Sequence, residues 1–103
     1  MFNINGYQWE VYMVNPHHPM LMRQDGSYSI GACDSKTQAI YLNDKVDKNF
    51  LKKVLCHEIV HASIFSYKIE LSVEDEEFIA DLIAKHGEEI IRLTNRLFNK
   101  FKK

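Results

Sequence analysis

Residues 49–65 constrain the fold of this chain more than any other stretch, because they place two histidines one helical turn apart. The segment contains no proline or glycine, and its apolar side chains recur every three or four residues instead of alternating. Within it, residues 57–61 read His-Glu-Ile-Val-His. Side chains at positions i and i+4 lie on one face of a helix. We therefore predict a helix near residues 47–67 that presents His57 and His61 side by side.

This spacing suits one metal ion shared by both imidazoles. The pattern H-E-x-x-H on a helix uses its histidines to bind Zn²⁺ and its glutamate as a general base. His57 and His61 continue the apolar stripe of Phe50 and Val54, so we expect them to face inward, where unpartnered imidazoles are costly. Glu58 points to one side, where it can reach a water on the metal but not the metal itself. The sequence thus predicts His57 and His61 as metal ligands and Glu58 as the catalytic base.

A second helix, near residues 73–98, is the expected source of a third ligand, since catalytic zinc takes three protein ligands and a water. The short connection makes the two helices antiparallel neighbours. Counting 1.5 Å per residue from the turn then brings His61 level with Glu77. We expect Glu77 to complete the site, with Glu76 as the alternative ligand. Asp81, one turn later, can accept the free ring N–H of a ligand histidine.

The residues before the helices predict a small sheet. Residues 7–14, 27–33 and 37–42 are rich in aromatic and β-branched side chains and are bounded by turn-forming residues. Strands followed by helices indicate an α+β domain, with a small antiparallel or mixed sheet of about three strands packed on two long helices. The 103 residues are 46% hydrophobic and 26% charged, as in a globular protein, and we expect one domain over residues 1–103.

Taken with the E-x-x-x-D spacing of Glu77 and Asp81, the H-E-x-x-H string resembles the gluzincin metallopeptidases. More narrowly, the chain is similar to small phage and mobile-element proteins of the ImmA/IrrE-type metallopeptidase group, over roughly residues 20–95. The further matching stretches are DGSY at residues 25–28, GACD at 31–34, IYL at 40–42, VLCHEIVHA at 54–62 and EEFIAD at 76–81. This resemblance implies a minimal zincin-like domain that hydrolyses peptide bonds with a water activated by Zn²⁺.

If the chain hydrolyses a protein or peptide substrate, the zinc-bound water, Glu58 and an oxyanion donor each have a defined role. Zinc lowers the pKa of its water to about 7, and Glu58 takes the proton and returns it to the leaving amine. A further donor must stabilise the oxyanion. The sequence leaves four candidates for it, Tyr28, Tyr41, Tyr67 and His86. The resemblance also implies that a strand bordering the cleft, at residues 29–33 or 37–42, pairs with the substrate through its exposed edge.

Two other functions stay open. A chain of this length offers little wall for a specificity cleft, which favours a catalytically silent zinc-bound module with a regulatory or interaction role. Cations interleaved with apolar residues near the C-terminus suggest nucleic-acid binding, but cations that complement a helix C-terminus are the simpler explanation. Those cations are Arg92, Arg96, Lys100, Lys102 and Lys103. A net charge of −1 gives no general attraction to nucleic acid or membrane, and we expect neither as a partner.

The cellular setting follows from what the composition lacks. No apolar run approaches the ~20 residues of a membrane span, and the first residues lack the basic and apolar regions of a signal peptide. Two cysteines, Cys33 and Cys56, do not make a disulfide framework. We therefore expect a reducing, cytoplasmic location.

Overall fold

Four strands and two helices follow one another along residues 1–102, the part of the chain that the computed structural model describes. Lys103, the last of the cations named above, lies outside these residues. The elements are β1 (Phe2–Ile4), β2 (Tyr7–Val14), a 3₁₀ turn (Pro19–Leu21), β3 (Gly31–Asp34), β4 (Ala39–Asn43), α1 (Lys48–Ser66) and α2 (Val73–Phe101). The α+β class is confirmed, although the sheet has four strands rather than about three.

The extra strand, β1, joins β2 through a two-residue turn. Ile4 pairs with Tyr7, and Asn5 and Gly6 between them have φ angles of 48° and 88°. A tight hairpin turn of this kind needs positive φ at both central residues, which Asn-Gly accepts readily. The prediction of residues 27–33 as a strand was also partly wrong, because regular pairing begins only at Gly31.

The strand order decides which edge can border a cleft. The sheet runs β1-β2-β4-β3, with β2 and β4 parallel and the other neighbours antiparallel. β1 and β3 are therefore its edges, whereas β4 lies inside. Of the two stretches that we considered for substrate pairing, residues 37–42 fall largely in an interior strand, and only β3 has an exposed edge.

The core forms where the sheet packs against α1. It contains the fully buried side chains of Trp9, Ile40 and Leu42, joined by Val54 and Ala62 of the helix. Burial of a large apolar side chain of this type contributes about 1.5–3 kcal/mol. The indole N–H of Trp9 donates to Ser66 Oγ at 2.9 Å, which links β2 to the last turn of α1.

Local signals set the ends of both helices. α1 begins after Asp47, whose carboxylate accepts a hydrogen bond from the Asn49 N–H at 3.1 Å. It ends at Ser66, and two residues later Lys68, with a φ of 57°, turns the chain back so that the Ile69 N–H donates to the carbonyl of Ile64. α2 begins after Ser72, whose hydroxyl accepts from the N–H three residues later. The two predicted helices are confirmed to within a few residues.

Neither helix, within residues 1–102, contains an apolar stretch long enough to cross a lipid bilayer. α2 carries too many charged side chains for that purpose, and α1 is interrupted by lysines in its first two turns and by histidines and a glutamate in its centre.

Candidate metal centre

Three donor groups converge between the facing sides of α1 and α2. His57 Nε2 lies 3.2 Å from His61 Nε2, and the two carboxylate oxygens of Glu77 lie 3.1 Å and 3.0 Å from these nitrogens. With metal–nitrogen bonds of 2.0–2.1 Å, two donors of a tetrahedral zinc site are separated by about 3.3 Å. The observed separations come close to this value, so the group could hold a metal ion.

Two more carboxylates contact the outer nitrogens of the same rings. Asp81 Oδ1 lies 3.0 Å from His57 Nδ1, and Glu76 Oε2 lies 2.5 Å from His61 Nδ1. When these carboxylates accept the Nδ1 protons, the Nε2 lone pairs of both rings face inward, toward Glu77. In that tautomer, two nitrogen lone pairs and a carboxylate face one point. A cation at that point would be bound by all three groups, which is the donor chemistry of a metal site.

The structure places Glu77 and Asp81 where the helix spacing predicts them. Glu76 differs from its expected role as the alternative ligand, because it contacts the outer nitrogen of His61 instead of joining the donor group. The reason lies in the antiparallel packing. α2 passes α1 in the opposite direction, so the acid one turn after Glu77 reaches His57 and the acid just before Glu77 reaches His61. The sequence alone gives no sign of the contact between Glu76 and His61. Neighbouring residues on a helix diverge by 100°, so Glu76 and Glu77 are not expected to reach the same imidazole.

Glu58 lies beside the donor group and against the sheet. Its side chain is buried, and a Cβ built on Gly31 of β3 would lie 3.0 Å from Glu58 Oε2. Burial raises the pKa of the Glu58 carboxyl, and His57 and His61 partly oppose this rise. A carboxylate with a raised pKa is a stronger proton acceptor, because burial penalises its charged form. Its position suits a base that acts on a group held by the histidines.

A groove with a volume of about 970 Å³ runs past these residues, bordered by β3 on one side and by the two helices on the other. Its floor carries the donor group and Glu58. Among residues 1–102, the four proposed oxyanion donors (Tyr28, Tyr41, Tyr67 and His86) are not part of its lining. Three cations line it instead, namely Arg23, Lys53 and Lys85.

The exposed edge of β3 turns backbone groups toward the groove. The Asn43 N–H donates to the Ile30 carbonyl at 3.0 Å, and the next pair, Gly31 with Leu42, follows this hydrogen bond. In an antiparallel ladder, hydrogen-bonded pairs alternate with pairs whose N–H and C=O groups point outward. The peptide groups of Gly31 and Cys33 therefore point away from β4, and both residues line the groove.

No similarity to a known protein supports or contradicts a metal site at these residues. Comparison with protein-family models, with curated proteins and with solved structures gives no match for the chain. A functional hypothesis for it must therefore rest on the donor group, on Glu58 and on the groove.

Proposed function

We propose that this chain is a zinc-dependent peptidase of the ImmA/IrrE type, which hydrolyses peptide bonds in a protein or peptide substrate. The observation that carries the proposal is the convergence of two imidazole nitrogens and a carboxylate beside a buried glutamate in an open groove. Zinc held by His57, His61 and Glu77 would activate a water and polarise the scissile carbonyl.

The chain's own residues have distinct tasks in this reaction. Glu58, at the groove wall, accepts a proton from the attacking water and delivers it to the leaving amine. Asp81 and Glu76 hold the imidazole protons on Nδ1, so that both Nε2 atoms stay free for the metal. The cations that line the groove are the candidates for stabilising the developing oxyanion, because positive charge favours it.

The substrate binds along β3 in this proposal. An extended peptide can add to a sheet edge by main-chain hydrogen bonds, which confer affinity with little dependence on side chains. The outward N–H of Gly31 and the outward N–H and C=O of Cys33 supply such bonds beside Glu58, whereas the Gly31 carbonyl already accepts from the Ser29 hydroxyl. The two unpaired cysteines fit a reducing compartment, so we place the activity in the cytoplasm.

Iron is the main competitor for the donor group. Two histidines and one carboxylate also hold nonhaem Fe(II) in oxygenases. The position of Glu58 favours hydrolysis, because a carboxylate beside an activated water serves as a general base. Metal analysis of the purified chain distinguishes the two ions.

The proposal is tested by metal content and turnover in four proteins: wild type, Glu58→Gln, Glu77→Ala and Glu74→Gln. Glu74 is an exposed acid of α2 three residues before Glu77, so its substitution is the matched control. Mass spectrometry of metal per chain should give one zinc in all except Glu77→Ala. Cleavage of a mixed peptide library should fall about 10²–10⁴-fold in Glu58→Gln and stay unchanged in the control.

Each departure from this pattern has a definite meaning. Cleavage by Glu58→Gln at the wild-type rate would remove Glu58 from the mechanism. Full zinc content in Glu77→Ala would reject Glu77 as a ligand. Zinc-loaded wild type that cleaves nothing would support the catalytically silent module instead.

A further inference from the structure

The second half of α2 extends beyond its partner helix. Glu77 lies opposite His61, and Lys52 Nζ lies 3.3 Å from Glu88 Oε2, which fixes how α1 and α2 run past each other. By this alignment, the first residue of α1 is level with about residue 92 of α2. The ten residues 92–101, about 15 Å of helix, therefore have no α1 beside them.

An apolar stripe runs along α2 and onto this extension. Its members are spaced alternately by four and three residues, the period of a coiled-coil seam. They are Ile79, Ile83, Ile90, Leu93 and Leu97, with the polar His86 completing the spacing, and Ile79 also packs against the core between α1 and α2. Ile90 is 51% exposed, and Leu93 and Leu97 are each 43% exposed. A helix cannot bury such a stripe by itself, so the pattern calls for a second helix.

The charges of α2 indicate what that second helix is. Residues 73–89 contain seven acids and one lysine, whereas residues 90–101 contain three basic residues and no acid. A parallel copy of α2 would place acid against acid and base against base. An antiparallel copy can instead place Arg96 of each helix beside Glu89 of the other. We infer that α2 is a dimerisation element, which pairs antiparallel with α2 of a second copy of this chain.

The register of the pair follows from the stripe. When Ile90 packs against Leu93 of the second copy, the twofold axis passes between these residues and the contact occurs twice. Glu89 and Arg96 each directly precede a seam residue. In this register, Glu89 of one copy faces Arg96 of the other, and symmetry again repeats the pair. A self-complementary interface of this kind closes as a dimer.

The dimer leaves the metal centre accessible. Glu77 and Asp81 lie on a different face of α2 from the seam, because each is two residues from Ile79, a rotation of about 200° around the helix axis. Binding of a second copy thus covers the apolar stripe and not the groove. The inference is independent of the proposed peptidase activity, and its test requires no substrate.

Sedimentation equilibrium of the full chain, from about 1 µM to about 200 µM, tests the interface. Wild type should have twice the monomer mass of 12.1 kDa at the upper concentrations. Glu89→Arg and Arg96→Glu should each weaken the dimer by about tenfold, because each creates two like-charge contacts. The double variant should restore it to within about threefold. The two residues lie seven apart in one helix, too far to pair within a chain, so restoration reports contact between copies.

Two further variants test whether the apolar seam itself forms the dimer contact. Ile90→Asp should abolish the dimer while circular dichroism shows retained helix. Asn95→Glu adds charge on the opposite side of the same turn and should leave the dimer constant unchanged. A wild-type mass of one chain at 200 µM, failure of the double variant to recover, or a dimer that tolerates Ile90→Asp would each overturn the inference.

Discussion

Replacement of Gly31 by alanine measures how closely β3 packs on α1. A Cβ built at this position would lie 2.7 Å from Val54 Cγ1 and 3.0 Å from Glu58 Oε2. Carbon atoms pack best at about 3.5–4.0 Å, so the valine methyl would have to move by almost 1 Å. Both neighbours are only 7% exposed, and they cannot swing into solvent. The added methyl must therefore push β3 and α1 apart at the centre of the site.

The expected cost is that of an overpacked core, about 1–3 kcal/mol. In a domain of about 100 residues, each 1 kcal/mol lowers the melting temperature by about 4–8 °C, so we expect a fall of about 4–24 °C. Displacement of Glu58 should also reduce peptide hydrolysis, because a general base acts only within hydrogen-bond reach. Metal content should stay at the wild-type value, since Gly31 contacts none of the three donor groups.

Urea denaturation followed by the fluorescence of Trp9, the one tryptophan of the chain, gives the free energy of unfolding. Adding Val54→Ala removes the closest contact, so the double variant should lose at least about 0.5 kcal/mol less than the sum of the single losses. Gly87→Ala is the matched control. Its Cβ meets only Ile83, a partly exposed side chain, and alanine favours the helix by about 0.5–1 kcal/mol. A Gly31→Ala protein as stable as wild type would refute the packing of β3 on α1 described above.

Three more predictions concern single contacts. Ser66→Ala leaves the buried indole N–H of Trp9 without its acceptor and should cost about 1–3 kcal/mol in urea denaturation. Burial raises the pKa of the Cys33 thiol to about 12, so its alkylation rate should rise tenfold per pH unit from pH 8 to pH 11. Because this pKa is higher in the folded than in the unfolded chain, stability should fall as the pH rises above about 9. Glu76→Gln weakens the hydrogen bond to His61 and should lower zinc affinity about 10–100-fold in competition with a chelator.

Each of these has its own control. Ser63→Ala removes a hydroxyl that bonds only within α1, and it should change stability by much less than Ser66→Ala. Alkylation is measured in a Cys56→Ser background, and a rate that levels off near pH 9 would contradict the raised pKa of Cys33. Glu74→Gln should bind zinc as wild type does, and equal affinity in Glu76→Gln would deny Glu76 its part in orienting the ring.

Some features that the sequence analysis missed were nevertheless encoded locally. The Asn5-Gly6 pair, placed just before an aromatic stretch, is a strong hairpin signal and is sufficient to predict β1. The late start of β3 was harder to foresee. Residues 27–30 have strand-like composition, yet Ser29 donates its backbone N–H to Leu21 and its hydroxyl to Gly31, which bends the chain. Such side-chain bonds compete with regular pairing and leave no periodic trace.

The sequence by itself determined both helices and the shared face of His57 and His61, because helical period, caps and i,i+4 spacing are local properties of the chain. It also predicted that Glu77 lies level with His61 along the helix axes, because only a short turn connects the two antiparallel helices. Only the tertiary structure decided that β4 is interior, that Glu76 meets an imidazole and that Gly31 lies against Glu58. Those three results depend on contacts between residues far apart in the chain, where strand order and helix rotation are set by packing of the whole core.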